Sequence, residues 1–96
     1  MMKNAEQTLE KELEAIEIKG YVAVPDRPSF SVRMISRMID ISCPMTSVSL
    51  RTIQRAIAEL RDMGVDLTGS MVSNTPYFDR FSTELILLQL KFKVKT

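Results

Sequence analysis

Val48-Ser49-Leu50-Arg51-Thr52-Ile53-Gln54-Arg55-Ala56-Ile57-Ala58-Glu59-Leu60-Arg61-Asp62-Met63-Gly64-Val65 is the stretch from which the rest of the chain is read. Ile53, Ile57 and Leu60 recur at helical spacing and Gly64 supplies a stop, so the pattern predicts a helix over residues 50–63 with Ser49 as its cap. With Ile53 at the centre of the buried face, Arg51, Gln54, Arg55 and Ala58 fall on the outer half, and Asp62 lies further along it. Those residue types suit a nucleic-acid duplex. Arg binds guanine through two hydrogen bonds or grips a phosphate, and Gln matches adenine through two complementary bonds. Ala lets a helix approach closely or touches a thymine methyl. Ser49 and the free amides of the first turn can also meet a phosphate. An ordinary solvated face, with Arg55 and Glu59 paired at i,i+4, has the same composition, so the neighbouring segments must decide.

Upstream, a helix begins at a Ser29 or Ser31 cap and carries Val32, Ile35, Met38 and Ile39 toward a core, with Arg33 and Arg37 on another face. It is expected to end near Ile41, because Pro44 disfavours helix through Cys43 and makes residues 42–47 a connector. Before it, Tyr21-Val22-Ala23-Val24 reads as a short extended stretch ahead of a Pro25-Asp26-Arg27-Pro28 turn. Residues 1–18 place Ala5, Leu9, Leu13 and Ile16 on one helical stripe and hold five Glu against Lys3 and Lys11. Downstream of Gly64 the pattern turns β-like. Val65-Asp66-Leu67 alternates, Met71-Val72 can start a strand, and Asn74-Thr75-Pro76 marks a turn. Ile86, Leu88, Leu90, Phe92 and Val94 alternate with Gln89, Lys91, Lys93 and Lys95, which predicts a final strand.

The expected architecture is therefore α+β: a winged helix-turn-helix of three helices followed by a C-terminal β hairpin. One domain spans residues 1–96, with an acidic N-terminal helix over 1–19, the helix-turn-helix over 29–64 and a β wing over 65–96.

The same eighteen residues carry a family likeness. Val48, Ser49, Arg51, Thr52, Ile53, Arg55, Leu60, Gly64 and Val65 match a V-S-x-R-T-I-x-R pattern followed by L-x-x-x-G-V. The stretch resembles the recognition helix of winged helix-turn-helix domains of bacterial repressors, of the type in DeoR-like and WYL-domain regulators and in the biotin operon repressor. The likeness covers about a fifth of the chain. It implies double-stranded DNA binding, with Ser49, Arg51, Thr52, Gln54 and Arg55 at the interface and Ile53, Ile57 and Leu60 as anchors.

Composition bounds the alternatives. A chain of 96 residues has room for one core and little for a separate sensor domain. Its formal charge of +1 is the sum of −3 in residues 1–18 and +4 in the remainder, so near-neutrality says little against DNA. With a single Cys43 and no His, an internal disulfide and the usual zinc sites are excluded, and no cofactor is expected. The seven Met residues read as core filling, connector or start-codon residues. Neither an export signal nor a membrane span is legible, so a cytoplasmic setting is expected, in a bacterium or phage-encoded and near the nucleoid. No nucleophile setting, phosphate loop or acid–base His points to an enzyme.

The reading that follows is a small sequence-specific transcriptional regulator, such as a repressor, with the 49–62 helix in the major groove. A module of this size reads few base pairs alone, which favours a homodimer on a two-fold site. Arg80 is expected near the wing, within reach of a minor groove or phosphate. Lys91, Lys93 and Lys95 on one strand face match phosphate spacing, although lysines also guard sheet edges against pairing. The alternative is a winged-helix protein–protein module, an adaptor or anti-regulator, that binds through the acidic helix or a Leu85/Leu87 edge.

Overall fold

The computed structural model describes residues 21–95; the acidic helix expected over 1–19 lies outside them. In chain order the elements are β1 (Tyr21–Ala23), β2 (Phe30–Ser31), α1 (Val32–Ser42), α2 (Leu50–Asp62), β3 (Gly69–Val72), β4 (Thr75–Phe78), α3 (Arg80–Gln89) and β5 (Lys93–Lys95). Of the two candidate caps for α1, Ser31 is the one used. Its Oγ accepts from the Met34 amide at 3.3 Å while the Met34 sulfur accepts from the Ser31 amide at 3.4 Å, a capping box with a thioether in place of a carboxylate. Ser49 caps α2 as expected, accepting from the Thr52 amide at 3.2 Å. Gly64 sits beyond the helix end at φ +84°, a conformation that costs glycine little.

Two small sheets tie these helices together. β2, β4 and β3 form an antiparallel sheet in that order, with Phe30 opposite Phe78 and Ser31 opposite Tyr77. The β3–β4 hairpin turns at Ser73 and Asn74, both at positive φ, the backbone that a two-residue hairpin turn needs. Because Val72 and Thr75 close that turn as a hydrogen-bonded pair, Pro76 falls at a position where no amide is required by β3, and β2 ends before reaching it. Gly69 is obligatory: a Cβ there would meet the Tyr77 carbonyl oxygen at 1.8 Å. β1 pairs with β5 in parallel, Tyr21 opposite Lys93.

The core lies between the helices and these sheets. Val22, Phe30, Ile35, Ile39, Ile53, Ile86 and Leu87 are fully or almost fully buried, joined by Met38, Ile57, Leu60 and Phe78. Burying each such large side chain contributes about 1.5–3 kcal/mol relative to exposure. Cys43 is also buried at the end of α1, where desolvation raises its thiol pKa and keeps it protonated. The fold is α+β, with three helices and a small antiparallel sheet among the described residues, a layout compatible with a winged helix.

The C-terminal third departs from expectation. The hairpin is not C-terminal: it spans 69–78, between α2 and α3, and residues 80–89, expected within the β wing, are helical. An apolar run such as Leu85-Ile86-Leu87-Leu88 satisfies period 2 and period 3.6 alike. The deciding signal is the Asp79 cap. Its carboxylate accepts from the Ser82 amide at 2.7 Å and from the Thr68 hydroxyl, while Ser82 Oγ accepts from the Thr68 amide at 2.8 Å. Once the helix starts there, Ser82, Thr83, Ile86 and Leu87 face inward. Leu87 is therefore fully buried and Leu85 half-buried, so the expected Leu85/Leu87 edge does not exist.

Candidate nucleic-acid interface

α2 stands between two neighbours and leaves one face clear. On one flank, Gln54, Ala58 and Arg61 line a shallow groove of about 170 Å³ against Pro76 and Phe78 of β4, and the Arg61 guanidinium carbon lies 6.0 Å from the Phe78 ring centroid. On the other flank, the Gln89 side-chain amide of α3 donates to the Glu59 carboxylate at 2.8 Å. Glu59 follows Gln54 by five residues, about 140° round the helix. Arg51 and Arg55 fall between these flanks, exposed and facing away from the core.

Neither arginine is neutralised within the described residues. The ion pairs there belong to Arg80, and the Arg55–Glu59 pair that would make this an ordinary solvated face is not formed; the Glu59 carboxylate accepts from Gln89 instead. Two exposed cations spaced one helical turn apart, with no carboxylate partner among the described residues, lose no salt bridge on meeting a phosphate or a guanine. Ser49 and Thr52 form the cap together, their hydroxyls 2.9 Å apart, at the end of α2 where amide groups point outward.

A larger groove of about 540 Å³ opens between the start of α2, the start of α1 and the hairpin, lined by Arg33, Leu50, Gln54, Asn74, Thr75 and Tyr77 among others. Among the described residues no carboxylate lines it. Arg33 and Asn74 are thus added to the candidate surface. The sequence places Arg33 on a different face from the buried one but has no signal that β2–β4 pairing brings it beside α2.

The remaining expected site residues lie elsewhere. Arg80 is not a loop residue near a wing tip. It opens α3, and its guanidinium is held by Asp26 at 3.0 Å and Glu84 at 3.2 Å. Lys91 sits at φ +70° in the turn closing α3, and Lys93 lies in β5 with its ammonium 5.7 Å from the Tyr21 ring centroid. The even row of Lys91, Lys93 and Lys95 along one strand is therefore absent, since only the last two share β5. The hairpin itself, residues 69–78, contains no Lys or Arg, so the polar groups it presents are hydroxyls, backbone amides and Asn74.

The hairpin is anchored at its base by Asp79, whose amide donates to the Thr68 carbonyl at 3.0 Å. The Thr68 hydroxyl first and the Ser82 amide next hold the Asp79 carboxyl below its ordinary pKa, against an opposing desolvation and with a smaller contribution from the Ser82 hydroxyl. Among the described residues no group of three or more Cys, Asp or Glu gathers to hold a metal ion, and no helix is long and apolar enough to cross a membrane. Compared with family models, curated proteins and solved structures, the chain finds no match.

Proposed function

We propose that the protein is a winged-helix, sequence-specific double-stranded DNA-binding protein acting as a small transcriptional regulator. α2 enters the major groove with Arg51, Gln54, Arg55 and Ala58 toward the base edges, and Ser49 and Thr52 meet the phosphates flanking it. Arg33 and Asn74, across the larger groove, hold the adjacent strand while the uncharged hairpin lies alongside as a wing. The observation that carries the reading is that Arg51 and Arg55, one turn apart on the open face of α2, have no carboxylate partner among the described residues. Useful affinity calls for two copies on a two-fold site, because a single module reads only a few base pairs.

Selection from random duplexes followed by sequencing tests this directly. The expected outcome is an enriched, two-fold symmetric site whose affinity falls steeply with salt. A library that leaves the selection unenriched, with binding to random duplex unchanged in Arg51→Ala and Arg55→Ala, overturns it.

A further inference from the structure

The outer side of α3 is apolar where that of α2 is polar. Phe81 and Leu88 are 68% and 54% exposed, and with half-buried Leu85 they recur at i, i+4 and i+7, along the side of the helix opposite Ile86 and Leu87. The topology indicates what reaches this ridge. Because β1 and β5 are parallel and Tyr21 lies opposite Lys93, the chain before Tyr21 and the chain before Lys93 leave the two-stranded sheet at the same end. What precedes Lys93 is α3, with Lys91 and Lys93 exposed where it ends. What precedes Tyr21 is the acidic segment, with Ala5, Leu9, Leu13 and Ile16 at helical spacing and five Glu.

We propose that residues 1–18 dock on the outer face of α3 within the same chain, setting their apolar stripe against Phe81, Leu85 and Leu88 and bringing their glutamates near Lys91 and Lys93. The sizes agree. As helices, the ridge from 81 to 88 is about 10 Å long and the stripe from 5 to 16 about 16 Å, enough to cover it. Gly20 supplies the freedom to turn the chain at the sheet edge. A second copy seated on this ridge alone would bury three side chains on each side, well short of the roughly 1,200 Å² of a stable interface. The contact is independent of the DNA-binding reading.

Hydrogen–deuterium exchange on the full chain tests the docking. Amides 5–17 are expected to be protected about tenfold or more relative to a peptide of residues 1–20, at any protein concentration. Phe81→Asp with Leu88→Asp, both at exposed positions, should abolish that protection while the amides of α1 and α2 keep theirs. If that variant unfolds, Leu9→Ser with Leu13→Ser provides the second test, and should shift the Phe81 ring and Leu88 methyl NMR signals of an otherwise unchanged core. Unprotected amides 5–17 in the parent, protection that survives the α3 substitutions in a folded chain, or unmoved Phe81 and Leu88 signals each overturn the proposal. So does protection lost on dilution in step with a dimer-to-monomer transition in sedimentation, which assigns the ridge to a second copy.

Discussion

α2 and α3 begin alike and end up with opposite surfaces. Each starts at a short polar cap, Ser49 or Asp79, and each carries an arginine within two residues of it, Arg51 or Arg80. Arg80 is held by two carboxylates, one of them four residues along its own helix, whereas the carboxylate four residues after Arg55 is turned away to Gln89. The outer face of α2 then offers cations and an amide, while that of α3 offers Phe81 and Leu88. The lesson is that the presence of an arginine on a helix says little about nucleic acid. What matters is whether the fold has already given its charge a partner.

The comparison can be broken at its strongest point first. Ile86→Ala removes a fully buried side chain from the inner face of α3 and should cost about 3–4 kcal/mol in denaturant unfolding. A loss below about 1 kcal/mol would mean that α3 is not seated in the core. Arg51→Ala combined with Arg55→Ala should weaken binding to a selected duplex by roughly 10²-fold or more at unchanged fold. If each arginine neutralises one phosphate, the log–log salt slope should drop by about 1.8. Arg80→Ala, measured in the same titration, should leave both quantities as they are. Equal losses for Arg80 and Arg51 would erase the distinction drawn between the two helices.

Smaller effects sharpen the anchoring of the hairpin between them. Gly69→Ala should cost on the order of 1–3 kcal/mol, because the added methyl collides with the Tyr77 carbonyl and the strand must shift. Asp79 links stability to pH. Its folded pKa lies below that of an ordinary aspartate, so its stabilising contribution is complete above the ordinary carboxylate range and is lost as pH falls below about 4 through the folded pKa. Asp79→Asn, which retains a capping oxygen, should flatten that part of the acid limb of a stability-versus-pH curve and leave the neutral region within about 1 kcal/mol. Smallest of all, Arg80→Ala should change stability by under about 1 kcal/mol, since its pairs are with a surface loop and an adjacent turn and Asp26 is almost fully exposed.

Legibility divides along the same line. α2 and its Ser49 cap, α1 with Ile35, Met38 and Ile39 inward, and the stop at Gly64 follow from local spacing, because each helix presents one polar and one apolar face. α3 defeats that logic. Its outer face is as apolar as its inner one, so Leu85, Leu87 and Leu88 give no contrast from which to tell helix from strand, and the alternation that does form β5 over Lys93–Lys95 runs back unbroken into the helix. The Asp79 cap was there to be read, three residues before Ser82, but its value depends on Thr68 arriving from another part of the chain. Of the candidate site, Ser49, Arg51, Thr52, Gln54, Arg55 and Ala58 are all on the surface of α2 as expected. Arg33 and Asn74 required the hairpin, which carries Asn74, to be folded back beside the starts of α1 and α2.

The sequence by itself determined the two helices from 32 to 62, the Ser49 cap, the buried Ile35, Met38, Ile39, Ile53, Ile57 and Leu60, and the placing of two arginines on one outer face. These are properties of a chain interacting with itself over three or four residues, where periodicity and capping act. Only the tertiary structure decided that Phe30-Ser31 is a strand, that the hairpin precedes a third helix, and that β1 runs parallel to β5. The same long-range packing decided which charges are spent. Arg80 meets Asp26 across 54 residues and Glu59 meets Gln89 across 30, contacts that no local pattern encodes, and they leave Arg51 and Arg55 without a carboxylate partner among the described residues.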